Sequence, residues 1–173
     1  MKMNRIVLFL VLLCSFSIIA QKKSDSIKRD IDRFSSLLDT NLDSAFYFIN
    51  KAHRESIALG NDSLMARTYY NIGFYLHDKK YNKEDSKGYF YKAIDYSKKT
   101  KFYKIWSYSY NQLGLIAAEE DKFDLALKTY LYALKISEKH EIYNVKSNIL
   151  INLGNLYLLQ KDTTKAMNYY YHQ

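Results

Sequence analysis

Covalent chemistry would require nucleophiles, acids or metal ligands at converging positions, and this sequence supplies few. The histidines are His53, His77, His140 and His172. They are scattered, and none pairs with another at the four-residue spacing of a His-Glu-x-x-His zinc site. The single cysteine, Cys14, lies in an apolar stretch near the N-terminus, which leaves the rest of the chain without thiol chemistry. Glu119-Glu120-Asp121 gathers three carboxylates, but beside a turn these read as charges that favour a helix N-terminus. The five glycines form no phosphate-cradling loop, and no Ser-His-Asp set can be assembled. The expectation is a protein without catalytic residues, metal or cofactor.

The more informative spacing is a repeat. Gly73, Gly114 and Gly154 lie 41 and 40 residues apart, in a chain with no proline. Each follows an aliphatic residue (Ile72, Leu113, Leu153) and has a bulky residue four positions earlier (Tyr69, Tyr110, Leu150). Small residues follow in register, Ser86 with Ala93 and Ala126 with Ala133, and Ala166 again. Between them falls a ring: Phe90, Tyr130, Tyr170. Ala45, Ile49 and Ala52 form an earlier half-copy. Ala126, Tyr130, Ala133 and Ser137 share one helical face. The small residues let two helices approach, and the ring fills the space between them. A mid-helix glycine costs about 1 kcal/mol relative to alanine, so three in register imply that packing recovers the loss.

This pattern resembles the tetratricopeptide repeat family, whose helix–turn–helix unit runs about 34 residues. The large–Leu–Gly–Tyr run of its first helix is matched by Tyr110-Leu113-Gly114-Ala117 and by Leu150-Leu153-Gly154-Tyr157. The Ala–Phe–Ala run of its second helix is matched by Ala126-Tyr130-Ala133. The closing proline is missing, and the period is about six residues longer than the family's. The resemblance is therefore to a long-period bacterial type. It implies an all-α fold of antiparallel helix hairpins stacked into a right-handed superhelix, a solenoid that binds protein or peptide. It also implies a concave groove lined by the first helices. Carried over with glycine as reference, the groove positions are Arg67, Tyr70, Phe74 and His77, then Tyr108, Asn111, Leu115 and Ala118, then Asn148, Ile151, Asn155 and Leu158. The family's lysine clamp for a C-terminal carboxylate is not reproduced there. Replacing Tyr70 and Asn111 by alanine is expected to weaken partner capture and leave the helices intact. The alternative is that these side chains pack within the protein itself.

Lys2 and Arg5 precede a 15-residue apolar run from Ile6 to Ala20, the form of a secretory signal peptide. Cleavage between Ala20 and Gln21 would place the protein in the periplasm or cell envelope. The alternative is an uncut membrane anchor over residues 6–20, although a spanning helix needs about 20 apolar residues. Nine lysines fall between Lys79 and Lys104, but Glu84, Asp85 and Asp95 are interspersed. They read as solvated helix surface, and no nucleic-acid partner is expected.

In chain order, residues 1–20 are the leader and 21–25 a flexible lead-in. Residues 26–173 are the repeat domain: a degenerate first pair over 26–60, then units at 61–100, 101–140 and 141–173. Gly60 is placed just past the end of a helix. The last unit reaches only Gln173, where its second small position would fall, so the chain is expected either to be part of a longer protein or to meet a partner at that end. The leading expectation is the sensory region of an exported signalling protein. The alternatives are a free-standing envelope scaffold and, from another class, a nucleic-acid-binding repeat.

Overall fold

The computed structural model describes residues 5–80 and 82–171. Among these residues there are eight helices and no strand. They are α1 (Arg5–Leu37), α2 (Leu42–Leu59), α3 (Asp62–Asp78), α4 (Lys83–Thr100), α5 (Tyr103–Glu119), α6 (Phe123–Lys139), α7 (Tyr143–Leu159) and α8 (Thr163–Tyr171). Each odd-numbered helix packs on the next in an antiparallel pair, and each even-numbered helix packs on the first helix of the following pair. The odd-numbered helices also touch along the stack. Among the described residues no Cα atoms of α2, α4, α6 and α8 come within 8 Å of one another. One side of the stack is therefore closed and the other is ribbed.

The glycine register has a direct structural cause. A Cβ built on Gly73 would lie 3.0 Å from Cε1 of Phe90, and one on Gly114 would lie 2.7 Å from Cδ1 of Tyr130. On Gly154 it would overlap Cε1 of Tyr170 more severely still. In each of these three pairs the ring of the second helix sits against the bare backbone of the first. Ala126 and Ala133 are fully buried beside Tyr130. The close approach lets Ser107 Oγ in α5 donate to the Ala133 carbonyl in α6 at 2.8 Å. The first pair lacks the glycine and packs Ile27, Ile31 and Phe34 of α1 against Ala45, Ile49 and Ala52 of α2.

Asn41, Asn61 and Asn82 begin α2, α3 and α4, each accepting a backbone N–H three residues on at 3.0–3.1 Å. Gly60 closes α2 with φ +64°, the left-handed conformation that glycine tolerates without strain. The equivalent corners are Lys101 (φ 56°) and Glu141 (φ 54°), which hold the same conformation against the clash of a Cβ with the backbone. That clash costs about 1–2 kcal/mol, of which glycine's greater unfolded-state freedom returns about half. Glu141→Gly is therefore expected to stabilise the protein by about 0.5–1 kcal/mol in urea unfolding.

Residues 21–25 are a correction. The expected flexible lead-in is the middle of α1, which runs unbroken for 33 residues. No glycine or proline interrupts this stretch, and Asp25 ties it locally, accepting from Gln21 Nε2 and pairing with Lys28 at 3.1 Å. Upstream, Phe9, Leu10, Leu12, Leu13, Ile18 and Ile19 are at least half exposed. Among the described residues no helix is long and apolar enough to cross a membrane. Met1–Asn4, which include the basic Lys2 of the leader, lie outside the described residues, as does His172.

Candidate functional site

The odd-numbered helices carry the twelve groove positions, and five of these are joints between repeats. Arg67 in α3 pairs with Asp32 in α1 at 3.3 Å. His77 is buried, its Nε2 3.1 Å from Glu119 Oε2 in α5, and Glu119 also meets Lys83 at 2.9 Å. Tyr70 sits among Phe74, Phe90 and Tyr108 with ring centroids 5.7–6.4 Å away. Burial pushes its hydroxyl well above the usual tyrosine range. Asn111 is 4% exposed and its Oδ1 accepts from Asn152 Nδ2 at 2.9 Å, joining α5 to α7. Tyr108 OH accepts from Asn144 Nδ2 at 3.0 Å across the same junction.

Burial corrects the groove assignment for His77 and Asn111, while Arg67, Tyr70 and Tyr108 join neighbouring repeats and stay partly exposed. Because the odd-numbered helices touch along the stack, side chains that would line an open groove reach their counterparts in the next repeat. Phe74 and Leu115 are half-buried and Ala118 is buried. Asn148, Ile151, Asn155 and Leu158 remain exposed on α7, where no described helix follows, and Asn155 accepts from Tyr170 OH at 2.6 Å. Asn111→Ala is expected to take away the partner of the partly buried Asn152 amide and cost about 1 kcal/mol in urea unfolding. With Tyr70→Ala it should lower stability further. The pair cannot serve as a silent surface change.

The ribbed side holds a site that sequence reasoning missed. Between α4 and α6, over α5, lies a cleft of about 670 Å³. Its floor is Tyr110, Leu113 and Ala117, and its walls carry Tyr91 (58% exposed), Leu125 (52%) and Tyr132 (42%). Tyr132 stands edge-on to Tyr110 with centroids 4.7 Å apart.

The repeat itself explains why the cleft is open here. Thr129 occupies the position that is Tyr89 one unit earlier and Tyr169 one unit later; Ala117 stands where those units have Leu76 and Tyr157. In the preceding interval the space is filled, because Tyr69 packs with Tyr89, Tyr96 and His53 at 4.4–6.1 Å. In the following unit Tyr169 stacks on Tyr157 at 5.5 Å. The middle unit lacks both large side chains. The missing volume, visible only by comparing units, is the signal that could have found it.

The rim is basic. Glu120 bridges Lys87 at 2.5 Å and Lys122 at 2.8 Å, and these ammonium groups, Lys122 foremost, hold its carboxyl down at about 2. Lys128 and Lys135 also line the cleft. Among the described residues neither has a carboxylate within ion-pair distance. The arrangement offers apolar area and unpaired positive charge, which suits holding a partner.

Helix pairs stacked in register, three of them on a shared glycine–ring contact, define a helical-repeat solenoid. The family model for the tetratricopeptide repeat matches residues 107–140 and 142–172, the α5/α6 unit and the α7/α8 unit. Those residues carry tetratricopeptide repeats, a repeat type that generally serves protein–protein interaction. No curated protein matches the chain.

Proposed function

We propose that this protein is a non-catalytic module that holds a segment of another protein, working in the periplasm or envelope of a bacterium. The observation that carries the binding reading is the cleft over α5, an apolar trough with exposed rings on its walls. Exposed apolar patches of this kind mark interaction sites. The export reading rests on the basic, then apolar, then small-residue order of the leader. It is supported by the exposure of the leader's described apolar side chains, which contrasts with the buried Ile27, Ile31 and Phe34 farther along the same helix. A sensory role in a larger signalling protein belongs to the same proposal, with cleft occupancy as the input; its support is the resemblance and the leader.

Photo-crosslinking in the native cell tests the site. A crosslinkable residue at Leu125 should trap a protein partner and lose it when Thr129→Tyr closes the cleft, while one at exposed Tyr47 should trap none through that cleft. No product at Leu125, or one indifferent to Thr129→Tyr, overturns the binding reading. N-terminal sequencing of the recovered protein tests export: a start at Gln21 supports cleavage, an intact membrane-bound chain supports the anchor, and an intact cytosolic chain removes both.

A further inference from the structure

We propose that the cleft between α4 and α6 takes an acidic amphipathic helix of another protein, its apolar stripe on Tyr110, Leu113 and Ala117 and its carboxylates on Lys128 and Lys135. The inference rests on the cleft being the protein-binding site, and adds the chemistry of its occupant.

Three features of the cleft select that occupant. The first is charge. Lys87 and Lys122 already share Glu120, whereas Lys128 and Lys135 line the cleft with no carboxylate of their own among the described residues. A basic partner would meet these two directly, and an acidic one completes them. The second is extent. Lys128 and Lys135 stand seven residues apart on α6, about 10 Å at 1.5 Å per residue, and Lys122, just before α6, carries the basic edge to about 20 Å. One small carboxylate cannot reach charges so far apart, but a segment lying along α6 can.

The third feature is the backbone. The walls are helices whose N–H and C=O groups are already paired, and Thr129 Oγ1 is committed to the Leu125 carbonyl at 2.6 Å. A strand laid on this floor would leave its own backbone groups against apolar rings without partners. A helix satisfies its backbone internally and presents only side chains. Tyr91, Leu125 and Tyr132 then close over its flanks.

The test measures fluorescence anisotropy of labelled synthetic peptides against the full-length chain. The acidic peptide is about fourteen residues, matched to the lysine span, with leucines at i, i+3, i+7 and i+10 and glutamates beside them. A second peptide replaces the glutamates by lysines, and a third keeps the composition but scatters the leucines. Dodecanoate is added as a competing small amphiphile. Lys128→Glu with Lys135→Glu changes only surface charge. Thr129→Tyr restores the ring of the neighbouring units, and circular dichroism checks that both variants fold.

The acidic peptide should bind, and the other two should bind at least about tenfold more weakly. Each variant should weaken the acidic peptide by about tenfold or more, and 0.5 M salt should weaken it several-fold. If the lysine peptide binds as well or better, and Thr129→Tyr abolishes it, the cleft is a protein-binding site but the acidic occupant is wrong. If dodecanoate binds with the same loss in Thr129→Tyr and no peptide does, the occupant is a small amphiphile and the proposal falls. If any peptide binds indifferently to Thr129→Tyr, the cleft itself is not the site and the underlying reading falls with it. If neither peptide nor dodecanoate binds, the acidic-helix proposal is overturned.

Discussion

Tyr130→Ala is expected to remove about 3–5 kcal/mol of stability, the usual loss when a buried aromatic side chain is truncated to a methyl group. Tyr130 is 1% exposed and lies among Ala117, Ala126, Ala133 and Ile149 at the junction of the α5/α6 pair with α7. Its environment is apolar enough that burial raises the hydroxyl above its ordinary range. The neighbouring small residues cannot refill the space, because alanine and glycine have no longer rotamers to swing inward. Total stabilities of natural domains are about 5–15 kcal/mol, so this one change should leave a large unfolded fraction at moderate urea. Truncating Tyr170 should cost much less, since α8 packs on α7 alone among the described helices and Tyr170 is only partly buried.

Gly114→Val is the second large effect, a loss of about 3 kcal/mol at the upper end of overpacking costs. Even a single Cβ would stand 2.7 Å from both Cδ1 and Cε1 of Tyr130 and 3.1 Å from Cγ. These atoms belong to a rigid ring that is itself 1% exposed, so the helices themselves would have to part. Valine adds two methyl groups and little helix propensity in return. Gly73 offers a graded comparison. Its nearest approaches are 3.0 Å to Phe90 Cε1 and 3.2 Å to Tyr89 Cβ. There Gly73→Ala should be close to neutral, as the roughly 1 kcal/mol gained in propensity offsets a small displacement. Urea titrations of the three variants should rank Gly73→Ala, then Gly114→Ala, then Gly114→Val in increasing loss.

The parts of the fold legible in the sequence are those fixed by local pattern. Gly73, Gly114 and Gly154 could be read because close backbone approach excludes a side chain, and the facing ring recurs at the same offset. Gly60 could be read because its chemistry is confined to one turn. Gln21 to Asp25 misled because polar composition resembles a linker, whereas continuity of α1 needs only that nothing breaks it. Lys101 and Glu141 gave no warning of their left-handed corners, since their residue types do not favour that conformation.

The candidate site divides along the same line. Which residues face along the odd-numbered helices followed from register, but whether His77 and Asn111 meet a partner or Glu119 and Asn152 depends on how closely successive helices lie. That distance is a property of the stack and has no local signature. The cleft over α5 was hidden for the opposite reason. It is made by what Ala117 and Thr129 lack relative to Leu76, Tyr157, Tyr89 and Tyr169, and absent volume has no motif.

A double-mutant cycle on Gly114 and Tyr130, read by urea unfolding, tests the glycine–ring contact on which the stack is built. In the native background Gly114→Ala should destabilise the protein. In the Tyr130→Ala background, with the ring gone, the same change should be neutral or stabilising by up to about 1 kcal/mol from helix propensity alone. An equal cost of Gly114→Ala in both backgrounds would show that the glycine is not there to receive the ring, and would contradict the account.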